Sequence, residues 1–241
     1  MIVRDFEVIP AIDVLEGRAV RLSQGRREAI TLDGGDPVEL ARRYAAEGAA
    51  RLHLVDLDGA FDGRPTLELL ERVATAGGLP LQVGGGYRSL DAVASAIRAG
   101  ADRVMVGTAA LDPGFLQTAA QRFAESLVVA IDVRDGRVAT DGWTQASETT
   151  AAELAYRCAA CGVRRLLVTS TVRDGSLAGP DIALLEQILP AGLPVIAAGG
   201  ISSIDDLRTL RDLGCEGAVS GSALLAGRFA LPEALAALAT E

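Results

Sequence analysis

Two aspartates occupy matching places in the chain. Ala11-Ile12-Asp13-Val14, closed by Glu16-Gly17-Arg18, returns 119 positions later as Ala130-Ile131-Asp132-Val133, closed by Asp135-Gly136-Arg137. Each acid ends a short apolar run, and a pair of carboxylates suits proton transfer, one accepting while the other donates. The alternative reading is that both acids bind backbone donors in the adjoining Glu/Asp-Gly-Arg hairpins. A second set of repeats runs at an offset of 114: Leu79-Pro80-Leu81 leading to Gly85-Gly86 matches Leu193-Pro194-Val195 leading to Gly199-Gly200, and Gly107-Thr108 matches Gly221-Ser222. Gly84-Gly85-Gly86 with Gly107-Thr108, and Gly199-Gly200 with Gly221-Ser222, would expose backbone N–H groups beside helix starts, a nest that holds phosphate without any lysine. One glycine-rich turn is usually only a turn, but four turns paired by symmetry imply two anion sites on opposite sides of the aspartates. The expected substrate is an elongated small molecule with a phosphate at each end.

The elements that must position these residues follow from the alternation of short β-rich runs with amphipathic stretches about ten residues long, the pattern of βα units around a parallel sheet. Strands are expected near Val8–Asp13, Leu52–Asp56, Leu81–Gly84, Arg103–Val106, Leu127–Asp132, Arg165–Thr169, Val195–Ala198 and Gly217–Ser220. Helices are expected near Pro37–Glu47, Thr66–Thr75, Leu90–Arg98, Pro113–Phe123, Thr150–Ala160, Ile182–Ile188, Ile204–Leu213 and Leu231–Ala239. Asp36-Pro37 and Asp112-Pro113 read as an N-cap followed by proline at the first helical position. No linker divides the chain, so the fold class is α/β: a single (βα)8 TIM barrel over residues 1–241, built from two similar (βα)4 half-barrels of approximately 1–123 and 124–241. Asp13 and Asp132 then end strands one and five and face each other across the barrel mouth. The first βα loop, around Ser23–Gly35, is longer than its counterpart after Asp132; both contain glycine and polar residues, as a mobile cover over a site would.

Composition narrows the function. The formal charge is −9 with no lysine, so no basic stripe exists for nucleic acid or an anionic membrane, and any phosphate must be held by arginine, backbone N–H groups and helix starts. The three cysteines, Cys158, Cys161 and Cys215, do not make a secreted disulfide framework, and no basic segment followed by a long apolar run opens the chain. A cytoplasmic location is expected. Cys158 and Cys161 form a C-x-x-C within an expected helix, but with one histidine in the chain no metal site is expected. That histidine, His53, lies in an apolar strand and reads as a hydrogen-bonded core residue.

The motifs together resemble the ProFAR isomerases of histidine biosynthesis. Pro10-Ala11-Ile12-Asp13 with Glu16-Gly17-Arg18, His53-Leu54-Val55-Asp56-Leu57-Asp58 and Gly84-Gly85-Gly86-Tyr87-Arg88-Ser89 fit that family, as do Asp132-Val133-Arg134-Asp135-Gly136-Arg137 with Gly142-Trp143, Thr169 with Asp174-Gly175, and Ala198-Gly199-Gly200-Ile201-Ser202-Ser203. The resemblance covers the whole chain. It implies an Amadori rearrangement without metal or organic cofactor and without an obligate protein partner. It further implies Asp13 as proton acceptor, Asp132 as proton donor, Thr169 as an assisting hydrogen-bonding residue, and Arg88, Asp174 and Gly175 as substrate-binding positions. Trp143, in the fifth βα loop, either stacks on the imidazole of the substrate or packs. The chain departs from the family at Tyr87, where an aliphatic residue is commoner, and at Ser222, often arginine or lysine.

Three rivals differ by readable residues. A dual-specificity relative that also isomerises phosphoribosyl-anthranilate tends to carry arginine just before the Gly-Trp pair, where this chain has Asp141. The related cyclase, which works with a glutaminase, usually opens with Cys-Leu-Asp and a following lysine. A non-enzymatic phosphate-binding barrel should have lost an aspartate.

Overall fold

The computed structural model describes residues 6–22 and 25–239. In chain order its strands are β1 (Glu7–Leu15), β2 (Arg18–Leu22), β3 (Ile30–Gly35), β4 (Leu52–Asp56), β5 (Leu81–Gly84), β6 (Arg103–Val106), β7 (Leu127–Arg134), β8 (Arg137–Thr140), β9 (Gln145–Thr150), β10 (Leu166–Ser170), β11 (Val195–Ala198) and β12 (Gly217–Ser220). Eight of them, β1, β4, β5, β6, β7, β10, β11 and β12, pair in parallel in that order, and β12 returns to β1 with Ile9 opposite Val219. The ring is closed, so these eight strands have no free edge.

The helices are α1 (Pro37–Ala46), α2 (Leu57–Asp62), α3 (Leu67–Gly77), α4 (Leu90–Arg98), α5 (Pro113–Phe123), α6 (Ala151–Ala160), α7 (Ile182–Ile188), α8 (Ile204–Leu213), α9 (Ser222–Leu225) and α10 (Leu231–Leu238). Both Asp-Pro starts form as expected. Asp36 accepts from the Val38 amide at 2.7 Å and Asp112 from the Phe115 amide at 2.6 Å, caps worth about 1 kcal/mol each. Thr66 and Thr150 hold the N-cap positions before α3 and α6 instead of opening them; the Thr66 side chain makes no capping hydrogen bond, whereas Thr150 and Glu153 exchange hydrogen bonds in a capping box.

The helices pack their apolar faces on the outside of the ring, and this layer between wall and helices is the main core. A second, smaller core fills the barrel interior with Ile9, Ala11, Met105, Val128, Leu167, Ile196 and Val219. Ion pairs gather at the N-terminal end of the ring: Arg51 meets Glu7 at 3.1 Å and Asp102, and Arg165 forms a two-point pair with Glu216.

The stretches after β1 and β7 depart from expectation. They are hairpin arms: β2 and β3 continue antiparallel from β1, and β8 and β9 from β7. Glu16 and Gly17 have φ of 50° and 78°, Asp135 and Gly136 φ of 50° and 76°. Positive φ at both central residues matches the type I′ turn, whose twist suits a two-residue hairpin and selects Asp/Asn-Gly-like pairs. The repeated acid-Gly-Arg signature is therefore turn chemistry. Ser23 and Gln24, at the start of the expected loop-one cover, lie outside the described residues.

Candidate active site

Side chains of barrel strands alternate between the interior and the helix layer. At the C-terminal end of the ring the inward positions include Ala11, Ala130 and Ala198, short side chains that leave a cavity of about 250 Å³ open above the interior core. Asp13, Asp132, Thr169, Gly84, Gly85, Gly86, Arg88, Gly107, Thr108, Trp143, Asp174, Gly175, Gly199, Gly200, Gly221 and Ser222 all line this cavity.

Asp132, near the end of β7, is half-buried, and its desolvation pushes its carboxyl pKa up; hydrogen bonds from the Trp143 indole and the Thr169 hydroxyl pull in the other direction. Thr169 stands directly opposite Asp132 in the β7–β10 register. Asp13, on β1, is paired with the Arg21 guanidinium, whose other terminal nitrogen donates to the Ala11 carbonyl at 2.6 Å. One carboxylate thus meets a fixed cation, the other two neutral donors. Asp174, in the segment after β10, is pushed up to about 6, first by burial and then by the charge of Asp13; Arg21 opposes the shift and Asp132 adds to it.

Gly85 (φ 110°) and Gly200 (φ 85°) turn the chain after β5 and β11 with positive φ. A Cβ on Gly85 would collide with the Asp56 carbonyl and one on Gly200 with the Gly179 carbonyl, so both need glycine for the turn itself. Short helical turns begin at Thr108 and Ser222. The Thr108 hydroxyl accepts from the Asp141 amide at 3.0 Å. Arg88 donates to the Ala60 carbonyl at 3.1 Å and lies 3.8 Å from the Asp141 carboxylate.

A family model described as histidine biosynthesis protein matches residues 7–230. Proteins named 1-(5-phosphoribosyl)-5-((5-phosphoribosylamino)methylideneamino)imidazole-4-carboxamide isomerase are similar along nearly their whole length. The one from Moorella thermoacetica is 49% identical over 238 residues, covering 96% of this chain and 98% of the relative. That of Roseiflexus sp. RS-1 is 45% identical, covering 96% and 99%, and that of Chloroflexus aurantiacus 46% identical, covering 95% and 97%. The chain belongs to the histidine biosynthesis protein family. It is an isomerase of that pathway, acting on a small molecule.

Several residues of this isomerase's cavity escaped the sequence reading. Arg21 is the main one: its guanidinium packs against Gly221, where no Cβ would fit, so it carries a cation to the Gly221-Ser222 turn. The signal was a single charge inside the apolar run Ala19-Val20-Arg21-Leu22, which is buried in full. His53 is buried and hydrogen-bonded, as expected, yet it also lines the cavity. Trp143 reaches across the mouth and packs on Gly25 at the tip of the first arm. Tyr87 is buried in the main core. Cys158 and Cys161 are unbridged, and among the described residues no group of three or more metal-ligating side chains forms. No helix there is long and apolar enough to cross a membrane.

Proposed function

We propose that the chain catalyses the Amadori rearrangement of ProFAR to its phosphoribulosyl isomer by acid/base catalysis with two aspartates. The observation that carries this reading is the opposite setting of two equivalent acids: Asp13 faces Arg21, and Asp132 is desolvated beside neutral donors. Burial favours the protonated form of Asp132, which donates to the ribose ring oxygen. The C1–O bond breaks, the ring oxygen becomes a hydroxyl, and C1 is left as a protonated Schiff base. Asp13, positioned by its ion pair with Arg21, takes the C2 proton, and the electron pair moves to the C1–C2 bond. The enaminol then loses its O2 proton while C1 gains one, giving the amino-ketose; no atom is gained or lost overall. Thr169 assists through its hydrogen bond to Asp132.

The two phosphates sit on the glycine-rich turns, one on Gly84, Gly85 and Gly86 with Gly107 and Thr108, the other on Gly199 and Gly200 with Gly221 and Ser222, where Arg21 supplies the cation. Arg88, Asp174 and Gly175 contact the substrate, and Trp143 covers it. The halves divide between residues 123 and 124, each giving one acid and one anion site, and the enzyme works in the cytoplasm without a protein partner. Asp141, paired with Arg88, sets a negative charge where the carboxylate of an anthranilate substrate would need a positive one.

Steady-state kcat/KM on ProFAR and on phosphoribosyl-anthranilate, side by side, tests the proposal. Turnover of ProFAR alone is expected. Comparable turnover of both substrates would reject the role given to Asp141, and turnover of neither would reject the reading itself.

A further inference from the structure

We propose that Gln82 is a positioning residue: it keeps His53 protonated on Nε2, so that the neutral ring donates a hydrogen bond into the cavity beside Asp13. Gln82 Nε2 lies 2.9 Å from His53 Nδ1. An amide N–H can only donate, so the ring nitrogen facing it carries a lone pair and the ring proton resides on Nε2. His53 lines the cavity, and Gln82 beneath it is wholly buried.

The second half of the barrel shows that the fold does not need this pair. His53 stands opposite Ala11 and Gln82 opposite His53. In the other half Leu167 stands opposite Ala130 and Ile196 opposite Leu167, and both pack into the interior apolar core. The polar version carries a cost that the aliphatic one avoids, because the Gln82 Oε1 atom is buried with no hydrogen-bond partner. A polar pair retained on one half only, the half that holds Asp13, is explained by what it does in the cavity. Burial pushes the ring pKa down to about 4, with Asp13 raising it and Arg21 lowering it, so the ring stays uncharged at neutral pH. On the reading of the reaction given above, the Nε2–H group donates to the sugar oxygen next to the carbon that loses its proton, and keeps its own proton throughout.

The chain has one histidine, so 15N-histidine labelling of the full-length protein gives a single ring spectrum. Long-range 1H–15N correlations at neutral pH should place the proton on Nε2; a proton on Nδ1 would overturn the proposal. In Gln82→Ile the two ring nitrogens should shift towards each other as the tautomers mix, and kcat should fall by about tenfold with KM changed less than about twofold. Unchanged shifts, or unchanged kcat, would reject a positioning role. Should that variant not fold, H53L/Q82I copies the Leu167–Ile196 pair. It should keep or raise Tm and lose about tenfold or more in kcat, whereas a lower Tm with full kcat per folded molecule would make the pair structural. An error in the substrate appears differently, as wild-type protein that does not turn over ProFAR while the spectrum still shows Nε2–H.

Discussion

Asp13, Asp132 and Asp174 share one cavity; burial pushes Asp132 and Asp174 up, and at Asp174 the charges of Asp13 and Asp132 add to the shift. Arg21 pairs directly with Asp13 and also opposes the shift at Asp174, while Asp132 meets only neutral donors. Asp13→Asn and Asp132→Asn should each lower kcat by roughly 10²- to 10⁴-fold while circular dichroism stays native; near-normal kcat in either variant would remove that residue from the mechanism. Asp174 makes a thermodynamic prediction. Its folded-state pKa, about 6, lies above the ordinary 3.8, so between those values the folded state holds a proton that the unfolded chain has released. Stability is therefore lost as pH rises through this window and stays lower above it, by up to about 3 kcal/mol. Asp174→Asn should raise Tm by several degrees at pH 7.5, with the gain vanishing near pH 3.5; a gain independent of pH would point to packing instead. At this scale the sequence exposed the acids, because a repeat delivers them twice. It hid Arg21, because a buried charge inside a strand shows its partner only once the hairpin register folds it back on Asp13.

The barrel strands and their helices were legible because apolar runs, caps and glycine turns all agreed. The arms were not, since no residue of β3 or β9 is buried and neither strand shows an apolar run; only the acid-Gly pairs at their turns marked a hairpin. What the arms do is bring their tips together over the mouth. Trp143 from the second arm packs on Gly25 of the first and hydrogen-bonds Asp132, so one ring joins the two covers to one of the acids. Gly25→Ala would drive a methyl group into that ring. Trp143 is the only tryptophan and is half-buried, and its fluorescence should shift to the red in the variant as the indole moves out towards water, with KM raised and Tm nearly unchanged. Unaltered emission with unaltered KM would mean that the arm contact does not hold the indole in the cavity.

Across the whole molecule the two ends of the ring divide the work. The C-terminal end keeps groups that cost stability, among them a buried acid and an orphaned amide, while the N-terminal end holds arginine–carboxylate pairs far from the chemistry. The 114-residue repeat relates Arg51 and Asp102 to Arg165 and Glu216, so each half contributes one clamp to the closure of the barrel. The repeat made the twofold plan readable in advance, but the departures from it, Arg21 against Thr140 and His53 with Gln82 against Leu167 with Ile196, acquire meaning only when strand register shows which of them face inward. Breaking the tighter clamp tests the division. The Arg165 and Glu216 side chains are 7% and 11% exposed, so Glu216→Leu takes the direct partner from a nearly buried guanidinium and leaves it only the more distant charges of Glu125 and Glu7, at a cost of about 3 kcal/mol. For a chain of this length that corresponds to a fall in Tm of roughly 10 °C. Below the new transition kcat should match the wild type, because nothing at the mouth has moved; a large loss of kcat at full folding would show that the N-terminal ring also tunes the site through the barrel interior.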